Sequence, residues 1–182
     1  KIYIEGSVVK DQMPKPMSIG TNFTVKNLFF NIPARRNFLK KDSIELGYIE
    51  EVFKRVAIIN HNVSFTLFNN GKLMYDLKAS TMGQRICQLF GNLYNERLYP
   101  VDESTELVRV HGFVCKPEYV KRSRSEQYLF VNGRYIKHPM LNAAVEKAYT
   151  DLIVDRSYPC YFLSLDVDPS RLDVNIHPHK IE

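Results

Sequence analysis

The fold of the second half of the chain is decided by the stretch FVNGRYIKHPMLNAAVEKAY, residues 130–149. It contains the end of an apolar strand, an Asn132-Gly133 turn, a returning strand and a helix that begins at Pro139. Asn-Gly between two extended segments is a strong signal for a tight β-hairpin, because both residues tolerate positive φ. Proline suits the first turn of a helix, where its missing N–H costs nothing. The stretch therefore predicts a hairpin followed directly by a helix.

Extended segments flank this hairpin and helix in the sequence. The strand QYLFV at 127–131 follows a basic loop, KRSRS at 121–125, and CYFLSLDVD at 160–168 predicts a last long strand. Two further extended segments are predicted near 97–102 and 106–116. A strand-rich sequence with a few substantial helices favours an α+β fold, with mixed β-sheets and helices on one face.

Residues 1–79 predict a separate set of elements. The β-branched and aromatic run at 21–30 predicts a strand, and Pro33 predicts the start of a short basic helix. An apolar stripe at helical spacing predicts a longer helix at 43–59. The turn sequence at 69–72, Asn-Asn-Gly-Lys, predicts a hairpin between alternating strands.

A helix is predicted to open a new unit near residue 80. Ser80 or Thr81 can cap its first turn, and Gly91 ends it after Phe90. The predicted boundary therefore separates residues 1–79 from residues 80–182.

Composition and charge limit the classes of function. The 182 residues include 45% hydrophobic and 25% charged side chains, which is typical of a folded globular protein. No apolar run has the length of a membrane-spanning helix. The net charge of +5 permits a polyanionic partner without requiring one. The cysteines Cys87, Cys115 and Cys160 lack the spacing of metal ligands, which indicates structural thiols and no metal site.

Three segments resemble the MutL family of DNA mismatch-repair proteins, in the order and spacing of that family. They are GTNFTVKNLFFNIPARRNFLKK at 20–41, FVNGRYIKHPMLNAAVEKAY at 130–149 and DVNIHPHK at 173–180. The family belongs to the GHKL ATPase superfamily. The resemblance implies that residues 1–79 are the C-terminal part of a GHKL-type ATPase domain. It implies that residues 80–182 are a transducer domain with a left-handed βαβ crossover, although such crossovers are otherwise nearly always right-handed.

The resemblance implies that the full-length protein is an ATPase with ATP and Mg²⁺ as cofactors. The chain contains none of the family's E-x-x-x-N-x-x-DA, D-x-G-x-G or glycine-rich lid motifs. By resemblance it supplies two edges of the ATP site: Thr21 near the adenine pocket, and Lys180, which reaches the γ-phosphate from the second domain. A lysine from a second domain can sense the terminal phosphate and stabilise charge on it. We therefore expect no bound cofactor and no catalysis in this chain by itself.

Basic residues around the Asn132-Gly133 turn are predicted to contact double-stranded DNA. They are Arg134, Lys137, Lys121, Arg122 and Arg124. Contacts from such residues to phosphate position a protein on a duplex without reading its sequence, which suits action near any mismatch. An ordinary structural hairpin is the alternative interpretation of the turn, and the two interpretations are compatible.

Assembly partners follow from the resemblance as well. It implies dimerisation with a second copy or a paralogue, a mismatch-recognition partner of the MutS type and no membrane. The expected location is the cytoplasm, associated with the nucleoid, in a bacterium, or the nucleus in a eukaryote. Under this hypothesis ATP binding and hydrolysis are coupled to dimer closure and DNA binding. The alternative function is a nucleotide-independent DNA-binding and protein-interaction module. A transducer domain of a type II topoisomerase is disfavoured by the PARR-x-FL and FVNGR segments.

Overall fold

A computed structural model describes residues 1–172 of the chain. The chain divides into two compact units, Lys1–Ile49 and Glu50–Glu182. The strands of the described residues are β1 (Ile2–Glu5), β2 (Val8–Gln12), β3 (Phe65–Asn69), β4 (Lys72–Leu77), β5 (Leu98–Ser104), β6 (Val108–Cys115), β7 (Gln127–Val131), β8 (Arg134–Ile136) and β9 (Tyr161–Val167). The helices are α1 (Pro33–Phe38), α2 (Asp42–Ile59), α3 (Met82–Phe90), α4 (Tyr94–Arg97) and α5 (Pro139–Ala148), with 3₁₀ turns at Pro117–Tyr119 and Pro169–Arg171.

The α+β class and the mixed sheet predicted from the sequence are confirmed. None of the helices in the described range is both long and apolar enough to cross a lipid bilayer. The domain boundary that the resemblance implies, between residues 1–79 and 80–182, stays a prediction, since a division into compact units does not by itself define a domain of the family.

The first unit contains a β1–β2 hairpin and α1 but no strand at 21–30. The strand predicted there is wrong. Asn27 and Phe29 have φ angles of 51° and 62°, and these left-handed values interrupt an extended backbone. Composition favoured a strand, but β-propensity reflects packing in a sheet, and no strand in the described part of the chain pairs with this segment. Pro33 begins α1 as predicted.

The hairpin and helix predicted on either side of residue 80 are confirmed. β3 and β4 pair antiparallel around Asn70 and Gly71, whose φ angles of 49° and 76° fit a type I′ turn. Before α3, the Thr81 hydroxyl accepts the Gln84 backbone N–H at 3.4 Å, and the Gln84 side-chain oxygen accepts the Thr81 N–H at 3.1 Å. This reciprocal capping box satisfies two N–H groups that the first turn would leave unpaired. Gly91 ends the helix.

The guanidinium of Arg85, on α3, is fully buried among backbone carbonyl groups. Its Nη1 donates to the carbonyl oxygen of Ala57 at 2.7 Å, and the two hydrogens of Nη2 are shared among the carbonyl oxygens of His61 at 3.0 Å, Val63 at 2.7 Å and Lys78 at 2.9 Å. Burial lowers the pKa of this group. Because a guanidinium presents five donors in one plane, a single side chain can fasten the end of α2, the loop after it and the β3–β4 hairpin to α3.

A five-stranded sheet in the order β5-β6-β9-β7-β8 lies at the centre of the second unit. β7 and β9 are parallel, with Leu129 opposite Leu163. The other neighbouring strands of this sheet are antiparallel. Between β7 and β9 the chain passes through β8 and α5, which is the kind of crossover that the resemblance implies. Its handedness stays a prediction.

Helices cover both faces of this sheet, whereas the sequence indicated one. On one face Phe130 and Phe162 belong to the same core cluster as Ile86 of α3. On the opposite face Leu129 and Leu163 pack with residues of α5. The reason lies in the central strands, since the near-continuous apolar runs of β7 and β9 are typical of strands buried on both faces.

Candidate nucleic-acid interface

The tip of the β7–β8 hairpin is a two-residue turn that leads directly into Arg134. Asn132 and Gly133 have φ angles of 46° and 79°, which fit a type I′ turn. The Asn132 side chain donates to the carbonyl oxygen of Val167 at 2.8 Å and accepts the Val167 N–H at 2.9 Å. It thereby holds the turn against the end of β9. Sequence reasoning missed this role of Asn132, because its partner lies 35 residues away along the chain.

Arg134 and Lys137 are exposed basic residues, on β8 and just after it. Neither forms an ion pair with a carboxylate in the described part of the chain. A cation without an internal partner keeps its full charge for a polyanion, and its contact with phosphate releases a counterion. Arginine adds a planar fork that matches two phosphate oxygens.

Carboxylates hold two of the basic residues in the loop before β7. The Arg124 guanidinium donates to both carboxylate oxygens of Glu146, at 2.8 Å and 3.0 Å, and lies 4.4 Å from the centre of the Tyr158 ring. The hydrogen bond with Glu146 raises the pKa of Arg124. The Lys121 amino group lies 3.2 Å from the Glu126 carboxylate. Both charges are therefore partly neutralised within the protein. No local sequence pattern indicates the pairing of Arg124 with Glu146.

Arg122 differs from its two basic neighbours in the loop. It is exposed, and no ion pair to it is present among residues 1–172. The loop precedes Gln127, whereas Arg134 lies opposite Val131 at the far end of the hairpin. At about 3.3 Å per residue, the length of β7 separates the two positions by about 13 Å. Lys137 follows Ile136, which lies opposite Leu129, so the basic residues are distributed along β7 and their common contact with DNA stays a prediction.

One of the two predicted edges of the ATP site lies within the described residues. Thr21 is exposed, in the irregular segment of the first unit. Lys180 lies outside the described residues. The role of Thr21 near the adenine pocket therefore stays a prediction. In the same range, no group of three or more His, Cys, Asp or Glu side chains could hold a metal ion.

Comparison with known families and sequences gives a consistent result. A family model described as "DNA mismatch repair protein, C-terminal domain" matches residues 86–182. The "DNA mismatch repair protein MutL" of Christiangramia forsetii is 50% identical over 179 residues, which are 98% of this chain and 29% of that protein. The protein of the same name from Flavobacterium psychrophilum is 48% identical over 181 residues, 100% of this chain and 30% of that protein. The chain therefore spans about three tenths of the length of these relatives.

Solved structures resemble the chain over most of its length. The "Aquifex aeolicus MutL ATPase domain complexed with ADP" is 27% identical, with a TM-score of 0.62, and the match covers 80% of this chain and 52% of that one. A structure described as "N terminal domain of a DNA repair protein" is 25% identical, with a TM-score of 0.69, over 82% of this chain and 51% of that one. These matches agree with the mixed α+β architecture described above.

Proposed function

The chain belongs to the MutL family of DNA mismatch-repair proteins, and from this premise we propose that it contacts DNA and links that contact to an ATP site in the full-length protein. The observation that carries the DNA contact is the β7–β8 hairpin. Its turn is fixed by Asn132, and it presents Arg134 and Lys137 exposed and without ion pairs in the described residues. The fixed turn matters because a contact made from an ordered backbone loses less entropy on binding.

The proposed partner is double-stranded DNA, bound through phosphate without preference for sequence. Arg134, Lys137 and Arg122 contribute more to this contact than Lys121 and Arg124. Glu126 pairs with Lys121 and Glu146 pairs with Arg124. A DNA phosphate would have to displace these carboxylates or share the cation with them. The weak dependence on sequence follows from the chemistry, since phosphates are the same at every base pair.

Arg134→Ala and Lys137→Ala in the full-length protein are each expected to weaken DNA binding and to lower the slope of log K against log salt concentration by about 0.9, the value for one lost phosphate contact. The measurement is fluorescence anisotropy of a labelled duplex across a series of salt concentrations. Arg124→Ala is the matched control, because it removes the same charge from a residue that Glu146 already neutralises. An equal fall in slope for all three variants would mean that net charge, not this hairpin, governs binding.

We propose further that the nucleotide side of this function runs through Lys180 at the γ-phosphate and Thr21 near the adenine pocket. A similar protein was solved as a MutL ATPase domain with ADP, which supports nucleotide binding by the full-length protein. Mg²⁺ is the second proposed cofactor, held by residues outside this chain. Two domains that share one ligand form an element with two states, as coupling to dimer closure requires. Dimerisation, a partner of the MutS type and a cytoplasmic, nucleoid-associated location complete the proposal. The relatives are bacterial, which favours the bacterial of the two expected locations.

Lys180→Ala in the full-length protein is expected to lower the ATPase rate by about 100-fold, the usual loss for one group that stabilises charge in a transition state. Calorimetry with a non-hydrolysable ATP analogue is expected to show weaker binding, while DNA affinity without nucleotide stays unchanged. Lys137→Ala is the matched control and should show the reverse: normal ATPase activity and weaker DNA binding. If Lys180→Ala changes neither the ATPase rate nor the affinity for the ATP analogue, a nucleotide-independent DNA-binding and protein-interaction module explains the function better.

A further inference from the structure

β8, the strand that carries Arg134, has little support from the sheet itself. It contains three residues and lies at the edge of the five-stranded sheet. Its ladder hydrogen bonds run to β7 alone, so its other edge is unpaired by any strand of the described residues. Short edge strands open readily unless a face is packed, because few bonds hold them. The direction in which Arg134 points therefore depends on the side chains that pack against β8.

Tyr135, the middle residue of β8, is covered by an arginine from α2. The guanidinium carbon of Arg55 lies 4.0 Å from the centre of the Tyr135 ring, within the range of a cation–π contact. The rings of Tyr128 and Phe130 approach Tyr135 from β7, with centroid distances of 6.3 Å and 5.9 Å. The Tyr135 ring is thus held between the sheet and a side chain from outside it.

Glu51, one turn earlier on α2, fixes the orientation of Arg55. The Nε and Nη2 groups of Arg55 both donate to one carboxylate oxygen of Glu51, each at 3.1 Å. The Tyr128 hydroxyl donates to the other oxygen at 3.2 Å. The Arg55 side chain is only 16% exposed, so it is placed to support the hairpin and not to bind phosphate itself.

We propose that Arg55 is a positioning residue for Arg134: by holding the face of Tyr135, it keeps β8 in the orientation that presents Arg134 to DNA phosphate. This inference rests on the DNA contact proposed above. The contacts from Tyr128 through Glu51 and Arg55 to Tyr135 join both strands of the hairpin to α2. Arg55 acts on DNA only through Arg134, and this separates its role from that of an ordinary surface arginine.

The test is a double-mutant cycle in the full-length protein, read as DNA affinity and as the salt slope of DNA binding. Arg55→Met removes the charge and the planar stack while keeping much of the side-chain volume. It is expected to lower the salt slope by about 0.9, as Arg134→Ala does, and to weaken binding to a similar degree. The double variant Arg55→Met with Arg134→Ala is expected to lose no more than Arg134→Ala alone, because the two changes remove the same contact.

Two further variants distinguish a specific loss of the Arg55 contact from general unfolding. Arg55→Lys keeps a cation over the ring and is expected to restore part of the slope. Lys54→Met removes one charge from the neighbouring position of α2, where the amino group lies 5.8 Å from the Phe90 ring, and is expected to leave the slope unchanged. Hydrogen exchange of the peptide 127–137 should quicken in Arg55→Met and not in Lys54→Met.

Each contrary outcome has a distinct meaning. If Arg134→Ala lowers the slope and Arg55→Met does not, the positioning role is wrong and the DNA contact stands. If the losses of the two single variants add in the double variant, Arg55 acts independently of Arg134 and the inference is likewise wrong. If Arg134→Ala itself changes neither affinity nor slope, the proposed DNA contact fails, and the role of Arg55 fails with it.

Discussion

Replacing Arg85 with methionine is expected to destabilise the second unit by about 4 kcal/mol, because one buried and several partly buried carbonyl groups would lose this donor at once. The carbonyl groups of Ala57, His61, Val63 and Lys78 all accept from this one guanidinium. Of these, the His61 carbonyl keeps a second donor, the Ser80 N–H at 2.9 Å. A buried acceptor without a partner costs about 1–3 kcal/mol, and methionine fills much of the volume without offering any donor. Relaxation and entry of water recover part of the sum, so the expected loss stays below the full total.

Hydrogen exchange in the full-length protein is the direct measurement for the Arg85 variant. Peptides from the end of α2, the β3–β4 hairpin and α3 should all exchange faster, since one side chain connects them. Arg85→Lys supplies fewer donors and no planar fork, so its loss should be smaller. Arg109→Met is the matched control: this arginine is 50% exposed and pairs only with Asp102 among the described residues. Unchanged exchange in the Arg85 variant would show that the buried hydrogen bonds contribute little net stability.

Gly112→Ala is expected to lower the free energy of unfolding by about 4 kcal/mol, because the added methyl group clashes with neighbouring backbone. Gly112 lies within β6 with a φ of 131°, which side chains rarely allow. A Cβ atom built there would lie 2.2 Å from the carbonyl oxygen of Phe162 and 3.2 Å from the Cα of Leu163. Both atoms belong to the backbone of β9, so the clash is relieved only by moving β6 away from the central strand.

The measurement for Gly112→Ala is the thermal stability of the full-length protein together with exchange of the β6 and β9 amides. Gly47→Ala provides a control with the opposite sign. Gly47 lies in α2, and apart from its chain neighbours and the nearby backbone of its own helix, no atom lies within 4 Å of the Cβ that alanine would add. Alanine is favoured over glycine inside a helix by about 0.5–1 kcal/mol, so this variant should be slightly more stable. Equal thermal stability of the two variants would contradict the conclusion that the close contact between the β6 and β9 backbones requires glycine at position 112.

Local signals predicted much of the fold correctly. The Asn-Gly turns at residues 70–71 and 132–133, the Thr81 cap and the proline starts of α1 and α5 all occur as expected. Each depends on interactions within a few residues, which a single sequence displays. The predicted strand at 21–30 was wrong because a strand depends on pairing with a distant segment, which local composition does not show.

Long-range pairing explains what the sequence did not reveal about the candidate interface. Five basic residues looked alike in the sequence, yet Glu146 holds Arg124 across 22 residues, while Arg134 has no such partner in the described residues. The same holds for Arg85, since arginine is rarely buried and its carbonyl partners lie up to 28 residues away. The contact between Arg55 and Tyr135 also has no sequence signature. Such pairs become visible only once the chain has folded.

The position of β9 has a consequence for how the protein is made. β9 lies between β6 and β7, although it is the last strand of the described chain. On the ribosome, the β5–β6 and β7–β8 hairpins emerge first and cannot join until Tyr161–Val167 has been synthesised. Two-stranded hairpins are marginal by themselves, and pairing between distant segments is slow. The sheet therefore closes in one late step, and a ribosome that stalls before Tyr161 leaves two nascent hairpins with open edges, the surfaces from which aggregation begins.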